Sequence, residues 1–373
     1  MRILQISSAK NFGGGERHFV DLCRGLASRG HDVFVALRPT SEWRARLDFI
    51  PPENVLRVSI RNSFGVLSAI RIAEFVRDNK IDIVHAHVAR DYIPASIACL
   101  VANDAKFVLT RHVLFPLKPF NRFALKNLSA AIGVSDAVGT GLVRIFPPSK
   151  VSVIPNGIDI ENCADRDSEM LREEFRSLHD IPLDVPVVGT LGELKELKGQ
   201  RDFVLAAQEI AKEIPECRFV VAGKDNSADK GFRRELRRMV KVFGLEDKFL
   251  WLDWLDDTAP LYAAMDVFVS PSHSESFGLA ILEAMIRGKA VVATETEGAK
   301  ELLGKDSLLV AVNEPVRMSQ KICGLLRDGE RRENYGARLQ ALAAEKYSLD
   351  RMVDETASLY KSVLGISGTA AVI

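Results

Sequence analysis

Short apolar, β-branched runs alternate with amphipathic helical stretches along most of this chain, and they do so in two successive series. In the first series, strand-like runs fall at residues 2–7, 32–37, 81–85, 106–110, 130–134 and 151–154, separated by helical stretches such as 17–28 and 92–102. In the second, runs at 185–190, 218–222, 249–252, 266–270, 290–293 and 308–310 are separated by helical stretches including 201–213, 232–243 and 278–287. Strands that alternate with helices form parallel sheets with helices on both faces. Two such series predict an α/β chain of two Rossmann-like, doubly wound parallel-sheet domains. Ligands of such sheets bind beyond the carboxyl ends of the strands, near a switch in strand order.

A length of 373 residues suits two domains. The polar run 161–180, punctuated by Pro182 and Pro186, places the join. The reading is a first domain at 1–158, a linker at 159–183 and a second domain at 184–345. The final helical stretch, 331–364, is expected to cross back in part onto the first domain, over residues 346–373, with 367–373 a frayed tail.

Composition narrows the class. With 47% hydrophobic and 27% charged residues the chain is globular. No apolar run reaches the roughly 18 residues that span a bilayer. Met1 opens directly into a strand-like run, not a signal peptide, so a cytoplasmic location is expected. Five scattered cysteines that never form CxxC predict neither a disulfide nor a metal site. Net charge is zero but uneven: residues 1–160 hold 21 Lys and Arg against 13 Asp and Glu, and the remainder 29 against 37. Ordinary variation between domains accounts for this asymmetry, and so does a first half that meets something anionic, such as a phospholipid surface or a phosphorylated acceptor.

The most informative segment is Pro271-Ser-His-Ser-Glu-Ser-Phe-Gly-Leu-Ala-Ile-Leu-Glu283. It joins a buried strand to a helix and puts Glu275 and Glu283 at its two ends. A helix N-terminus offers unpaired N–H groups and partial positive charge, which suits phosphate, and Gly278 lets an anion approach the backbone. That arrangement predicts a nucleotide-sugar site. Gly13-Gly14-Gly15 lies at the first strand-to-helix junction, just ahead of His18, where a turn and an anion-binding loop are both open. It is not the GxGxxG dinucleotide fingerprint, and no acid ends the next strand, so a nicotinamide dehydrogenase is disfavoured. His85 and His87 alternate onto one face at a strand end, and no third ligand near them in sequence makes a metal site. Arg111 and His112 follow another strand directly. Residues 113–126 interleave aromatic and aliphatic side chains with Lys118, Arg122 and Lys126, a texture shared by membrane-surface segments and ordinary packed loops. Lys198 stands where a cation neutralises a diphosphate. Asp253, Asp256 and Asp257 read as caps of a helix beginning near Thr258, not as metal ligands.

In this order, the Gly-rich loop, His-x-His, Val134-Ser135, Val153-Ile-Pro-Asn-Gly-Ile-Asp159, Lys198-Gly199, Val221-Ala-Gly-Lys224, Asp266-Val-Phe-Val-Ser-Pro-Ser272 and Glu275-x7-Glu283 resemble the family 4 retaining glycosyltransferases of GT-B fold. The resemblance runs over nearly the whole chain and implies two domains facing a cleft. It implies Glu275 at the donor sugar, Glu283 at the ribose, and backbone at Phe277, Gly278 and Leu279 against sugar and diphosphate. It further implies Lys198 on the diphosphate, His112 beside the reacting sugar, and Gly14 and Gly15 approaching the donor from the first domain. His18, His85, His87 and Arg111 are the acceptor-side candidates.

The implied reaction transfers a sugar with retention from a nucleotide-diphosphate sugar to an acceptor hydroxyl, without cofactor or metal. The setting it implies is cell-envelope glycan or lipid-linked saccharide synthesis. The acceptor is a saccharide or lipid-linked molecule, a peripheral inner-membrane contact through the basic first domain is expected, and no nucleic acid is. Glu193 departs from the pattern: many members carry Arg there. Two further functions stay open, a nucleotide-sugar epimerase or hydrolase and a sugar-nucleotide-binding protein without turnover. Incubation with donor alone separates the first from a transferase.

Overall fold

A computed structural model describes residues 1–60, 65–164, 168–227, 229–304 and 308–366. The stretch 367–373, read above as a frayed tail, lies outside the described residues. The chain divides into two compact units: Met1–Gly157 joined by the chain from Leu349 onward, and Ile158–Ser348.

The first unit holds strands β1 (Arg2–Ser7), β2 (Asp32–Leu37), β3 (Val55–Arg57), β4 (Ile83–Ala86), β5 (Lys106–Arg111), β6 (Leu128–Gly133) and β7 (Val151–Val153). They form one parallel sheet in the order β3-β2-β1-β4-β5-β6-β7. The second unit holds β8 (Val187–Leu191), β9 (Arg218–Ala222), β10 (Phe249–Leu252), β11 (Val267–Ser270), β12 (Ala290–Thr294) and β13 (Leu308–Val310). These are also parallel, in the order β10-β9-β8-β11-β12-β13. Both are doubly wound Rossmann-like sheets. In each the order reverses beside the first strand, between β1 and β4 and between β8 and β11, which opens a crevice at those carboxyl ends.

The strands form because their residues are apolar on both faces: Ile3, Leu4, Ile6, Val35, Ile83 and Val108 are all buried. The helix Gly14–Ser28 covers one face with Phe19, Leu22 and Leu26. Across it lies the C-terminal helix Leu349–Val363, which buries Met352, Val353 and Tyr360 in the same core. Gly25 permits that contact, since a Cβ there would come within 2.4 Å of a Val353 methyl. Arg29 ties the pair at the surface, to Asp354 at 2.6 Å and Asp350 at 2.7 Å.

The segment read as a linker is different. It carries the helices Ile160–Ala164 and Ser168–Leu178, the second of which packs on the helix Ala259–Ala264 through Leu171. Arg176 on that helix is fully buried, and it donates to the carbonyls of Ala264, Pro182, Leu183 and Val185 and to Asp266 Oδ2 at 2.8–3.2 Å. Such a guanidinium offers five donors in a fixed fork, and here they bind this segment into the second unit. Among the described residues no helix is long and apolar enough to cross a membrane.

Candidate functional site

In the second unit the loops after β8 and β11 lie against each other at the switch point. Gly199 makes this contact possible. It sits at φ +66°, and a Cβ would fall 1.8 Å from the Pro271 carbonyl oxygen, so no other residue fits without moving backbone. His273 N–H donates to Leu197 O at 2.9 Å, and the His273 ring meets Asp202 Oδ2 at 2.8 Å. Held this way, Lys198 Nζ stands 2.5 Å from Glu275 Oε2. The Glu275 carbonyl accepts from Gly298 N–H at 3.0 Å. Gly298 leaves room for that bond, because a Cβ would meet Phe277 O at 2.4 Å.

Gly278, at φ +101°, is the N-cap of the helix Leu279–Ile286 and has no side chain of its own to cap it. Leu282 N–H is the first to bond back, to Gly278 O at 3.0 Å. The amides of residues 279–281 therefore have no partner within the helix, and this helix end lies by Glu275, whose Cγ would be 3.4 Å from a Cβ on Gly278. Phe277 itself is buried and packs its ring on Tyr347. Glu283 lies mostly buried in the second turn and accepts from Thr258 Oγ1 at 3.2 Å. The Asp257 carboxylate accepts from Ala259 N–H at 3.0 Å at the start of the helix Ala259–Ala264. Asp256 instead accepts from Trp254 Nε1, and Asp253 pairs with Arg233, which corrects the cap expected of Asp253.

Glu193 does not face this group unpaired. Its carboxylate accepts from Lys195 Nζ at 2.5 Å and from Asn226 Nδ2 at 3.0 Å. Burial pushes its pKa up, but the hydrogen bonds from Lys195 and Asn226 and the charges of Lys195 and Lys198 outweigh that and hold it low. A concavity of about 420 Å³ opens on this side, lined by Glu193, Lys195, Arg201, Asn226, Phe232 and Glu235. Lys198, Glu275, Gly278 and Glu283 are not among its lining residues.

The first unit's switch point holds histidines. Gly14 and Gly15 form the first turn of the helix Gly14–Ser28 itself, with Gly15 beside the His112 ring. The helix thus begins three residues earlier than read, with Gly13 as its N-cap. His18, on the next turn of that helix, is buried next to the rings of His87 and His112. His85 and His87 share a face as alternation requires, ring centroids 4.2 Å apart. His85 has no exposed surface and commits both nitrogens inside the unit, Nδ1 to Tyr360 OH at 2.5 Å and Nε2 to Thr110 Oγ1 at 2.7 Å. No ring atom of His85 is left to meet an acceptor, which corrects that expectation.

His87 Nε2 meets Gln5 Oε1 at 2.7 Å, and His87 Nδ1 lies 3.4 Å from His112 Nε2. Arg111 is buried and turns its guanidinium onto the Phe115 carbonyl, where it holds the following turn. Burial lowers the pKa of all four histidines, that of His18 to about 4 even though Asn156 beside it favours the charged form. Nearby histidine charges push His85, His87 and His112 further in the same direction. Near neutral pH the cluster is therefore uncharged and presents lone pairs and N–H donors, not cations.

Gln5, Thr110, Tyr360, Thr258 and His273 support these groups and have no sequence motif. Gln5 shows only as a polar residue inside an apolar strand, and Tyr360 as an aromatic on a helix more than two hundred residues from its partners.

Two doubly wound parallel sheets, each with its polar groups at the switch point, are the architecture of the GT-B glycosyltransferases. The model for Glycosyltransferase Family 4 matches residues 12–162, and that for Glycosyl transferases group 1 matches residues 185–328. The N-acetyl-alpha-D-glucosaminyl L-malate synthase of Bacillus anthracis is 25% identical, over 96% of this chain and 96% of its own. The lipopolysaccharide core biosynthesis glycosyltransferase LpsE of Rhizobium meliloti is 24% identical, over 94% and 96%. Among solved structures, Anabaena HepE in complex with UDP-glucose superposes with a TM-score of 0.85 at 23% identity, over 97% of this chain and all of that one. The chain belongs to the group 1, family 4 glycosyltransferases.

Proposed function

We propose that this glycosyltransferase moves a sugar, with retention of anomeric configuration, from a nucleoside diphosphate sugar to an acceptor hydroxyl. The observation that carries the reading is the Lys198–Glu275 pair near the glycine N-cap of the helix Leu279–Ile286. Lys198 and the amides of residues 279–281 supply positive potential for a diphosphate, and Glu275 supplies an acceptor for sugar hydroxyls. Glu283, fixed by Thr258, is positioned for the ribose. Anabaena HepE, of the same fold, holds UDP-glucose, which supports a donor of this class.

Without the donor, Lys198 rests on Glu275. A bound diphosphate shares that cation and frees the carboxylate for the sugar. The acceptor hydroxyl then attacks on the face the diphosphate leaves, and the departing phosphate oxygen takes its proton. Held reactants and stabilised phosphate charge lower the barrier, with no metal in the scheme. His112, partly exposed among buried neighbours, is the first-unit residue that this reading assigns to the reacting sugar. His18 and His87 stand behind it.

The likeness to LpsE, a lipopolysaccharide core biosynthesis glycosyltransferase, supports a role in cell-envelope glycan synthesis; the cytoplasmic face of the inner membrane is the setting proposed for it. Val113, Phe115, Phe120 and Phe123 are exposed beside exposed Lys118, Arg122 and Lys126, which supports peripheral contact with an anionic bilayer by this segment. The test is product analysis. Purified chain incubated with nucleotide sugars and membrane or saccharide acceptors should form a glycoside with the donor's anomeric configuration, read by NMR. Inversion overturns the retaining mechanism, and donor breakdown that is independent of any acceptor overturns the transferase reading for this site.

A further inference from the structure

His85 and His87 have no third ligand near them in sequence, but the fold supplies one from either side. His18 arrives on the helix after β1 and His112 at the end of β5, and ligand nitrogens of His18, His87 and His112 all lie within 4.8 Å of one another. We propose that these three side chains form a binding site for a zinc-class divalent ion.

Four features carry the inference. First, the His87 Nδ1 to His112 Nε2 distance is 3.4 Å. Nitrogens bound tetrahedrally to zinc at about 2.0–2.1 Å stand about 3.3 Å apart. This hydrogen-bonded pair therefore already has ligand spacing, and an ion takes the place of its proton once His112 carries its hydrogen on Nδ1. The remaining nitrogen–nitrogen distances are within 4.8 Å and close when an ion draws His18 in.

Second, the His87 tautomer is set from behind. Gln5 Nε2 donates to Tyr360 OH at 3.1 Å, which turns Gln5 Oε1 toward His87 Nε2 at 2.7 Å. Nε2 must therefore carry the proton, and the Nδ1 lone pair faces the cluster. Outer groups orient metal-binding imidazoles in this way.

Third, His18 is only 4% exposed, and its ring nitrogens and Asn156 Oδ1 beside them make no hydrogen bond of normal geometry. Buried polar atoms in that condition are rare unless a ligand completes them. Fourth, His112 is the partly exposed member, so a fourth coordination position opens on its side to water. A three-imidazole set selects zinc, copper or nickel over magnesium or calcium, which require oxygen ligands. On the transferase reading above, an ion here ties up His112 and lowers turnover; that consequence rests on the reading, whereas binding does not.

The experiment uses full-length, tag-free, metal-stripped chain without nucleotide. It is titrated with Co2+, followed by its visible ligand-field absorption, and then with Zn2+ by calorimetry. One Zn2+ per chain is expected, displacing a tetrahedral cobalt spectrum and raising Tm. His18→Phe and His87→Ala should each weaken binding at least tenfold. Gln5→Leu should weaken it by about 10-fold, as loss of an outer partner does. His31→Ala and His179→Ala, remote from the cluster, should leave it unchanged. Circular dichroism confirms that each variant is folded; His18→Phe keeps the ring volume, and should His87→Ala unfold, His112→Phe replaces it. Absence of saturable binding overturns the proposal. So does binding that survives His18→Phe together with His112→Phe, or that is lost equally in His31→Ala.

Discussion

The two sheets share one winding and one place for chemistry, yet they fill that place with opposite electrostatics. Beyond β8 and β11 stand a lysine, two glutamates and a glycine-capped helix end, partly open to solvent. Beyond β1 and β4 stand four histidines that burial keeps neutral, backed by Gln5, Thr110 and Tyr360. A doubly wound sheet specifies where a ligand goes, not what it is. The charged crevice suits a diphosphate. The neutral one suits hydroxyls, and by its lone pairs an ion.

The comparison breaks most sharply at Glu275. Glu275→Ala should lower turnover about 100- to 1000-fold, the loss typical when a group that stabilises the transition state is removed, while Tm changes little. Near-wild-type turnover removes that residue from the mechanism. Next comes Gly199→Ala. A Cβ 1.8 Å from the Pro271 oxygen at φ +66° must push the two loops apart, costing about 1–3 kcal/mol by chemical denaturation and weakening nucleotide binding as well. A variant of unchanged stability and affinity shows that the loop contact does not position Lys198.

Lys198→Ala should weaken nucleoside diphosphate affinity about 10-fold or more, as loss of a charge-assisted hydrogen bond does. An unaltered dissociation constant takes the diphosphate away from this loop. A smaller contrast is pH. His18 titrates near 6.5 when unfolded and at about 4 when folded, and its three neighbours are shifted the same way. Between those values the unfolded chain binds protons that the folded first unit excludes, so its stability falls as pH drops through that window. Asp91, raised to about 6 by burial, opposes this in part, because its folded form takes up a proton first. Hydrogen exchange should show the first unit opening faster than the second on acidification from pH 6.5 to 4, and His18→Phe should reduce the difference. Equal acceleration of both units contradicts the proposed role of the buried histidines.

Much of the fold was legible because buried parallel strands are nearly continuous apolar runs. The three-residue edge strand β3 escaped, being short and only partly buried. The supposed linker was misread for a physical reason. Its second helix exposes most of its polar residues and anchors itself with a buried arginine, so Arg176 counts as solvent-facing in any composition argument. Glu275, Gly278 and Glu283 were legible together because one strand-turn-helix segment holds them. The Lys198–Glu275 pair and the three-histidine cluster were not, since each joins separate elements through tertiary packing.

The central claim is that the second unit holds the diphosphate of a sugar nucleotide between Lys198, Glu275 and the start of the helix Leu279–Ile286. Calorimetric titration of the wild-type chain with nucleoside diphosphate sugars, the matching diphosphate and the nucleoside alone tests it most directly. The account predicts one site per chain for a sugar nucleotide, competition by the diphosphate, and markedly weaker binding of the nucleoside. No saturable binding of any sugar nucleotide, or a nucleoside that binds as tightly as its diphosphate, would contradict it.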